Sequence, residues 1–214
     1  MDRTFSPMEL RRTGLRVLGG VAMWGAAVAA ASASGLLGRV TPIEIGPLIA
    51  MGLAIPPLVY FRSPKMRALA RQIGVHRLTV FQSWRVVGTL AFFSYGAKNV
   101  LPPLFVREAA WGDLITALAA ASLAILPRTR FGYAAVNVIG ALDFLVAVSL
   151  GVALTLMHDA RMATNATFPI ALIPLFGVGV SFAVHLIAFD VLRDTQPESQ
   201  RVEPTLLRSS EGRA

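Results

Sequence analysis

The chain has 214 residues, of which 55% are hydrophobic and only 15% charged, with no cysteine and a formal net charge of +8. A soluble domain carries about a quarter charged residues, so this composition, with a mean hydropathy of +0.61, excludes an ordinary soluble domain. The lack of cysteine excludes disulfides, thiolate metal sites and cysteine nucleophiles. The basic excess sits in short segments beside apolar runs, where membrane topology accounts for it without a nucleic-acid partner.

About 20 apolar residues cross a bilayer core, and six stretches qualify, near 17–37, 43–61, 79–98, 110–127, 132–157 and 167–190. The pattern predicts an all-α polytopic bundle: a basic cytoplasmic segment over 1–16, a transmembrane domain over 17–190, and a polar, disordered cytoplasmic tail over 191–214. The first stretch is crowded with small residues from Gly19 to Ala33, which permit close helix packing. Leu10-Arg11-Arg12 loosely resembles a twin-arginine signal and Ala31-Ser32-Ala33 a cleavage site, but the apolar run exceeds a signal peptide's 7–15 residues, which favours a retained helix. Pro56-Pro57 are expected to kink the second helix. Residues 62–77 read as a basic loop on the inner leaflet, facing anionic lipid. Pro102-Pro103 read as the end of the third helix, followed by an interfacial stretch through Phe105 to Trp111.

Orientation follows from lysine and arginine. With the N-terminus inside, the inner segments hold Arg3, Arg11, Arg12, Arg16, Arg62, Lys65, Arg67, Arg71, Arg77, Arg128, Arg130, Arg193, Arg201, Arg208 and Arg213, while the outer ones hold Arg39, Lys98, Arg107 and Arg161. That bias places both ends in the cytoplasm.

Intramembrane polar residues are costly and usually face a bundle interior. Gln82, Arg85, Thr89, Phe92, Gly96 and Asn99 fall on one face of the third helix, spanning roughly 100°. Asn137, Gly140, Asp143 and Gly151 share a face of the fifth, and Pro174, Gly177, Ser181 and His185 a face of the sixth. Arg85, Asn137 and His185 lie roughly 8–10 Å from the cytoplasmic helix ends, and Asp143 roughly 16 Å. An Arg85–Asp143 ion pair is therefore expected, with His185, Asn137 and Gln82 completing a polar cluster that serves as a register-fixing latch, a binding site or a proton relay. Asp113, nearer the outer face, reads as a cap at the start of the fourth helix. No second acid is expected beside Asp143.

His76, His158 and His185 lack HxxxH or HExxH spacing, and no phosphate loop, dinucleotide fingerprint or GxSxG elbow occurs, so neither metal nor cofactor is expected. The segments QSWRVVGTLAFFSYGAKNVLPPLFVREAAWGDLITAL from Gln82, NVIGALDFLVAVSLGV from Asn137 and FPIALIPLF from Phe168 resemble a family of small, uncharacterised bacterial membrane proteins. The resemblance implies a helical bundle in the bacterial inner membrane and carries no activity.

Three functions compete. Binding or transport of a small or amphipathic molecule suits the polar interior and the absence of a soluble domain. No inverted repeat joins 17–98 to 110–190, which counts against a transporter; a homodimer would enlarge so small a permeation unit. A membrane-embedded enzyme acting on a lipid or isoprenoid would use Asp143 as acid or base and Arg85 to hold an anionic group or set the protonation of Asp143. A structural or accessory subunit would use the cluster only to lock packing. In every case the bilayer itself is the principal partner.

Overall fold

The computed structural model describes residues 5–194. They form seven α-helices and no strand: α1 (Pro7–Ala33), α2 (Pro42–Arg62), α3 (Pro64–Phe81), α4 (Val86–Ala97), α5 (Pro103–Ser122), α6 (Arg130–Leu156) and α7 (Val178–Asp194). Four stretches are long and apolar enough to cross a membrane: Pro7–Ala33, Pro42–Arg62, Arg130–Leu156 and Ile173–Asp194.

Local chemistry fixes the helix starts. Proline stands at the first turn of α1, α2, α3 and α5, where its missing N–H is no loss. Ser6 and Glu9 form a capping box before α1, with the Ser6 N–H donating to Glu9 Oε2 at 3.0 Å. Ser63 caps α3 and Thr129 caps α6.

Several expectations are corrected. The segment 62–77 is helical, because Ser63 and Pro64 start α3, and only Gly74 (φ 81°) interrupts it. That conformation is one glycine adopts without a Cβ clash. The third expected span is composite: the end of α3, a tight 3-10 turn over Gln82–Arg85, then α4. The helix before Pro102-Pro103 has ended, at Ala97, but no interfacial stretch follows: Pro103 opens α5, and Phe105, Val106, Ala109 and Ala110 are buried core. Residues 191–194 finish α7 and residues 7–16 begin α1; the rest of the expected tail lies outside the described residues.

Helix α5 packs against α4, α6 and the 3-10 turn. At the end bearing the α4–α5 connection, Phe92, Leu101, Phe105 and Ile170 form the core. At the opposite end, Tyr60, Leu78 and Val191 form one cluster and Leu123, Tyr133 and Val136 another. Helix α1 is peripheral, with Ser32 as its one buried residue. A five-residue π turn, Ile173–Gly177, leads into α7, so two non-α segments lie on neighbouring helices at the middle of the bundle. Trp84 of the 3-10 turn fits against Gly177 of the π turn, where a Cβ would come within 2.7 Å of its ring.

Candidate functional site

Arg85 closes the 3-10 turn and is 2% exposed. Its Nε donates to Asp113 Oδ1 at 2.6 Å, its Nη2 donates to Asp143 Oδ2, and its Nη1 faces the Gly140 carbonyl at 3.5 Å. The guanidinium lies 4.0 Å from the centre of the Phe144 ring, a favourable cation–π arrangement. One arginine from the 3-10 turn thus bridges acids on α5 and α6.

Asp113 is not a cap. Helix α5 begins at Pro103, ten residues earlier, so Asp113 stands mid-helix and points inward. The second acid absent from the sequence reading is therefore present, and it comes from the residue assigned to the helix end.

Glycines make room for this arrangement. A Cβ on Gly88 of α4 would come within 2.9 Å of Asp113 Oδ2, and one on Gly112 of α5 would collide with the Asp143 carboxylate. A Cβ on Gly140 of α6 would collide with the His185 ring. Three helices each present bare backbone to a polar side chain of a neighbour.

The remaining expected residues form a separate, uncharged ladder. Asn137 Nδ2 donates to Thr79 Oγ1 and to the Tyr133 carbonyl, both at 2.8 Å. A carbonyl can only accept, so the amide orientation is fixed and Asn137 Oδ1 is an acceptor. His185 Nδ1, 2.9 Å from that oxygen, must be the protonated nitrogen of the neutral ring. Gln82 Nε2 donates to the Ser181 carbonyl and Trp84 Nε1 to Ser181 Oγ, each at 3.0 Å. His185, Asn137 and Gln82 accordingly tie α3, α6 and α7 together and form no hydrogen bond with the ion triad.

The triad lies at the wall of a cavity of about 290 Å³ enclosed by α2, α4, α5, α6, the π turn and α7. Ile45, Ile49, Leu53, Phe92, Phe105 and Ala147 give it an apolar lining. The cavity also reaches Ile43 of α2 and Leu156 of α6, which are 59% and 58% exposed. Its mouth lies at one end of the bundle, between the start of α2 and the end of α6. Among the described residues no group of three or more His, Cys, Asp or Glu side chains could hold a metal ion.

A family described as a domain of unknown function, DUF8737, matches over residues 42–193, which includes α2 to α7 and every residue of the triad, the ladder and the cavity. No curated protein and no solved structure matches the chain.

Proposed function

The chain belongs to the DUF8737 family, and from its geometry we propose that it binds a small amphipathic molecule within the bilayer and carries it between the two sides. The observation behind this is the cavity itself: apolar walls, a mouth between the ends of α2 and α6 and an ionic group inside. Ligand sites are concave, mostly apolar and carry a few placed polar groups, typically at roughly 300–1,000 Å³, and this one stands at the lower limit. An alkyl or ring system fits the walls, and its polar group meets Arg85, Asp113 and Asp143.

The setting is a six-pass protein of a bacterial inner membrane with both ends cytoplasmic. Four helices suffice in length and hydropathy. The other two passes are residues 75–97 and α5. At 1.5 Å per residue they reach roughly 34 and 30 Å, enough for the hydrocarbon core. They are the two that carry Arg85 and Asp113, and those charges are turned inward. Outward-facing Leu15, Leu18 and Met23 on α1 and Leu142, Leu145 and Val146 on α6 are all exposed, which suits lipid and not water.

Enzymatic use of Arg85 to hold an anionic group is the weaker reading, because two carboxylates already occupy that guanidinium. A latch alone would account for the triad but not for a cavity beside it.

Trp84 lines the cavity and reports on occupancy. In a Trp24→Phe, Trp111→Phe background reconstituted in nanodiscs, an amphiphile with a brominated tail quenches Trp84 saturably. Ala147→Phe, which fills the chamber, abolishes that quenching in protein that still unfolds cooperatively. Quenching that rises linearly with probe in both proteins would show simple partition into lipid and end the proposal.

A further inference from the structure

We infer that the polar group accepted here is a cation of the ammonium class, a protonated amine or quaternary ammonium on an apolar body, and that it exchanges with a proton. This rests on the binding reading above and adds the charge of the ligand.

Arg85 commits Nε to Asp113 and Nη2 to Asp143, and rests Nη1 on the Gly140 carbonyl. Trp84 Nε1 is given to Ser181 Oγ and Thr155 Oγ1 donates to the Gly151 carbonyl. These donors on the wall are turned into the protein. Two of the five guanidinium N–H groups are left without an assigned acceptor, and acceptor capacity is left over beside them. Each aspartate has an oxygen not bonded to Arg85. The carboxylate oxygens can accept from N–H groups, and two carboxylates against one guanidinium repel carboxylates, sulfates and phosphates.

Charge agrees with hydrogen bonding. Two ionised carboxylates exceed one guanidinium by a single negative charge, and among the described residues Arg85, Asp113 and Asp143 are the only charged ones lining the cavity. An uncompensated charge in apolar surroundings is costly. An ammonium group held against the free carboxylate oxygens cancels it, while the apolar body fills the chamber. A cation within reach of the Phe144 face, as Arg85 already is, gains further.

The empty site needs the same compensation, and a proton on one carboxyl supplies it. On cation entry the carboxyl O–H bond breaks, the proton leaves to water and the net charge of the site is unchanged. The groups that face the carboxyls are Arg85 from the 3-10 turn and each acid from the other's helix, while the His185 ring of α7 packs on Gly140. Helix α4 contributes Gly88 and α2 only apolar side chains.

The test uses the full chain in nanodiscs, corrected against protein-free nanodiscs, and four probes with one decyl tail: decyltrimethylammonium, decylammonium, decyl sulfate and decanol. The expected result is that both cations bind about tenfold or more tighter than decyl sulfate. Decyltrimethylammonium, whose own charge cannot titrate, binds more tightly as pH rises until the site is fully ionised, and releases one proton per molecule in weakly buffered solution at acid pH. Asp143→Asn, which removes the residual charge, collapses the cation-to-decanol affinity ratio; Asp113→Asn does the same and serves if the first variant fails to fold. If phosphatidylethanolamine in the disc weakens probe binding, the ammonium comes from a lipid headgroup; if it does not, the ammonium is a free amphiphile. Equal or tighter binding of decyl sulfate or decanol, or no pH dependence for decyltrimethylammonium, overturns the inference while leaving an intramembrane site in place. Failure of all four probes removes the binding reading itself.

Discussion

Two polar clusters meet on α6, where Asn137 and Asp143 stand six residues apart, and they differ in what their neighbours leave undone. In the ladder of Thr79, Asn137 and His185, each group is neutral and fixes the orientation of the next, and protein packs on every side. In the triad of Asp113, Arg85 and Asp143, hydrogen bonding is strong but charge does not balance, and one side opens on a cavity. The ladder therefore belongs to helix register and the triad to binding. A buried polar residue is informative about function to the extent that its surroundings leave charge or lone pairs unanswered next to open space.

The largest expected effect breaks the triad. Arg85→Met leaves two buried carboxylates without a partner and costs about 3–5 kcal/mol, read as loss of thermal stability or of expression in membranes. Adding Asp143→Asn alone rescues only part, because Asp113 remains; the triple variant with Asp113→Asn as well recovers stability while losing cation binding. A full recovery by the double variant would show that Asp113 is not part of the ionic group.

Next come the glycines. Gly112→Ala pushes a methyl into the Asp143 carboxylate, and Gly140→Ala into the His185 ring. Overpacking of this kind costs about 1–3 kcal/mol. The comparison predicts different consequences: Gly112→Ala weakens probe binding beyond its effect on stability, whereas Gly140→Ala lowers the unfolding temperature with a smaller effect on binding.

The ladder should cost stability alone. Asn137→Ala strands Thr79 and the His185 Nδ1–H without their partner, a penalty of about 1–3 kcal/mol, while affinity for decyltrimethylammonium stays within twofold, a loss of about 0.4 kcal/mol at most. A tenfold loss of affinity would move His185 and Asn137 into the binding site and erase the distinction.

The smallest effect is at the surface, where Asp159 accepts from the Arg161 side chain and backbone, and these bonds hold its carboxyl below the ordinary value of 3.8. A depressed carboxylate stabilises the fold above that value and ceases to do so as pH falls through its own lower one. Arg161→Gln should return the Asp159 titration, followed by NMR, toward 3.8.

Much of this molecule is legible in its sequence. The polar stripes at 100° per residue bring Arg85 and Asp143 to a shared interior, and the apolar runs yield an all-helical chain. Asp113 was misread because Pro102-Pro103 looks like a stop, whereas Pro103 occupies the first turn of a new helix. The available signal was the spacing of Phe105, Ala109, Asp113, Thr116 and Ala120, which marks one continuous buried face. The 3-10 turn that swings Arg85 between two helices has no local signature in Gln82–Arg85. Nor could Gly88, Gly112 and Gly140 be matched to the side chains above them, since that requires the register between helices, which tertiary packing sets.

The most direct test of the central claim is anomalous diffraction from crystals grown with a decylamine brominated at its tail end. The account places the bromine within the chamber between α2 and α6, with the amine nitrogen in hydrogen-bonding range of Asp113 and Asp143. Bromine density only on the outward, lipid-facing surfaces of the helices, with the chamber empty, would contradict it.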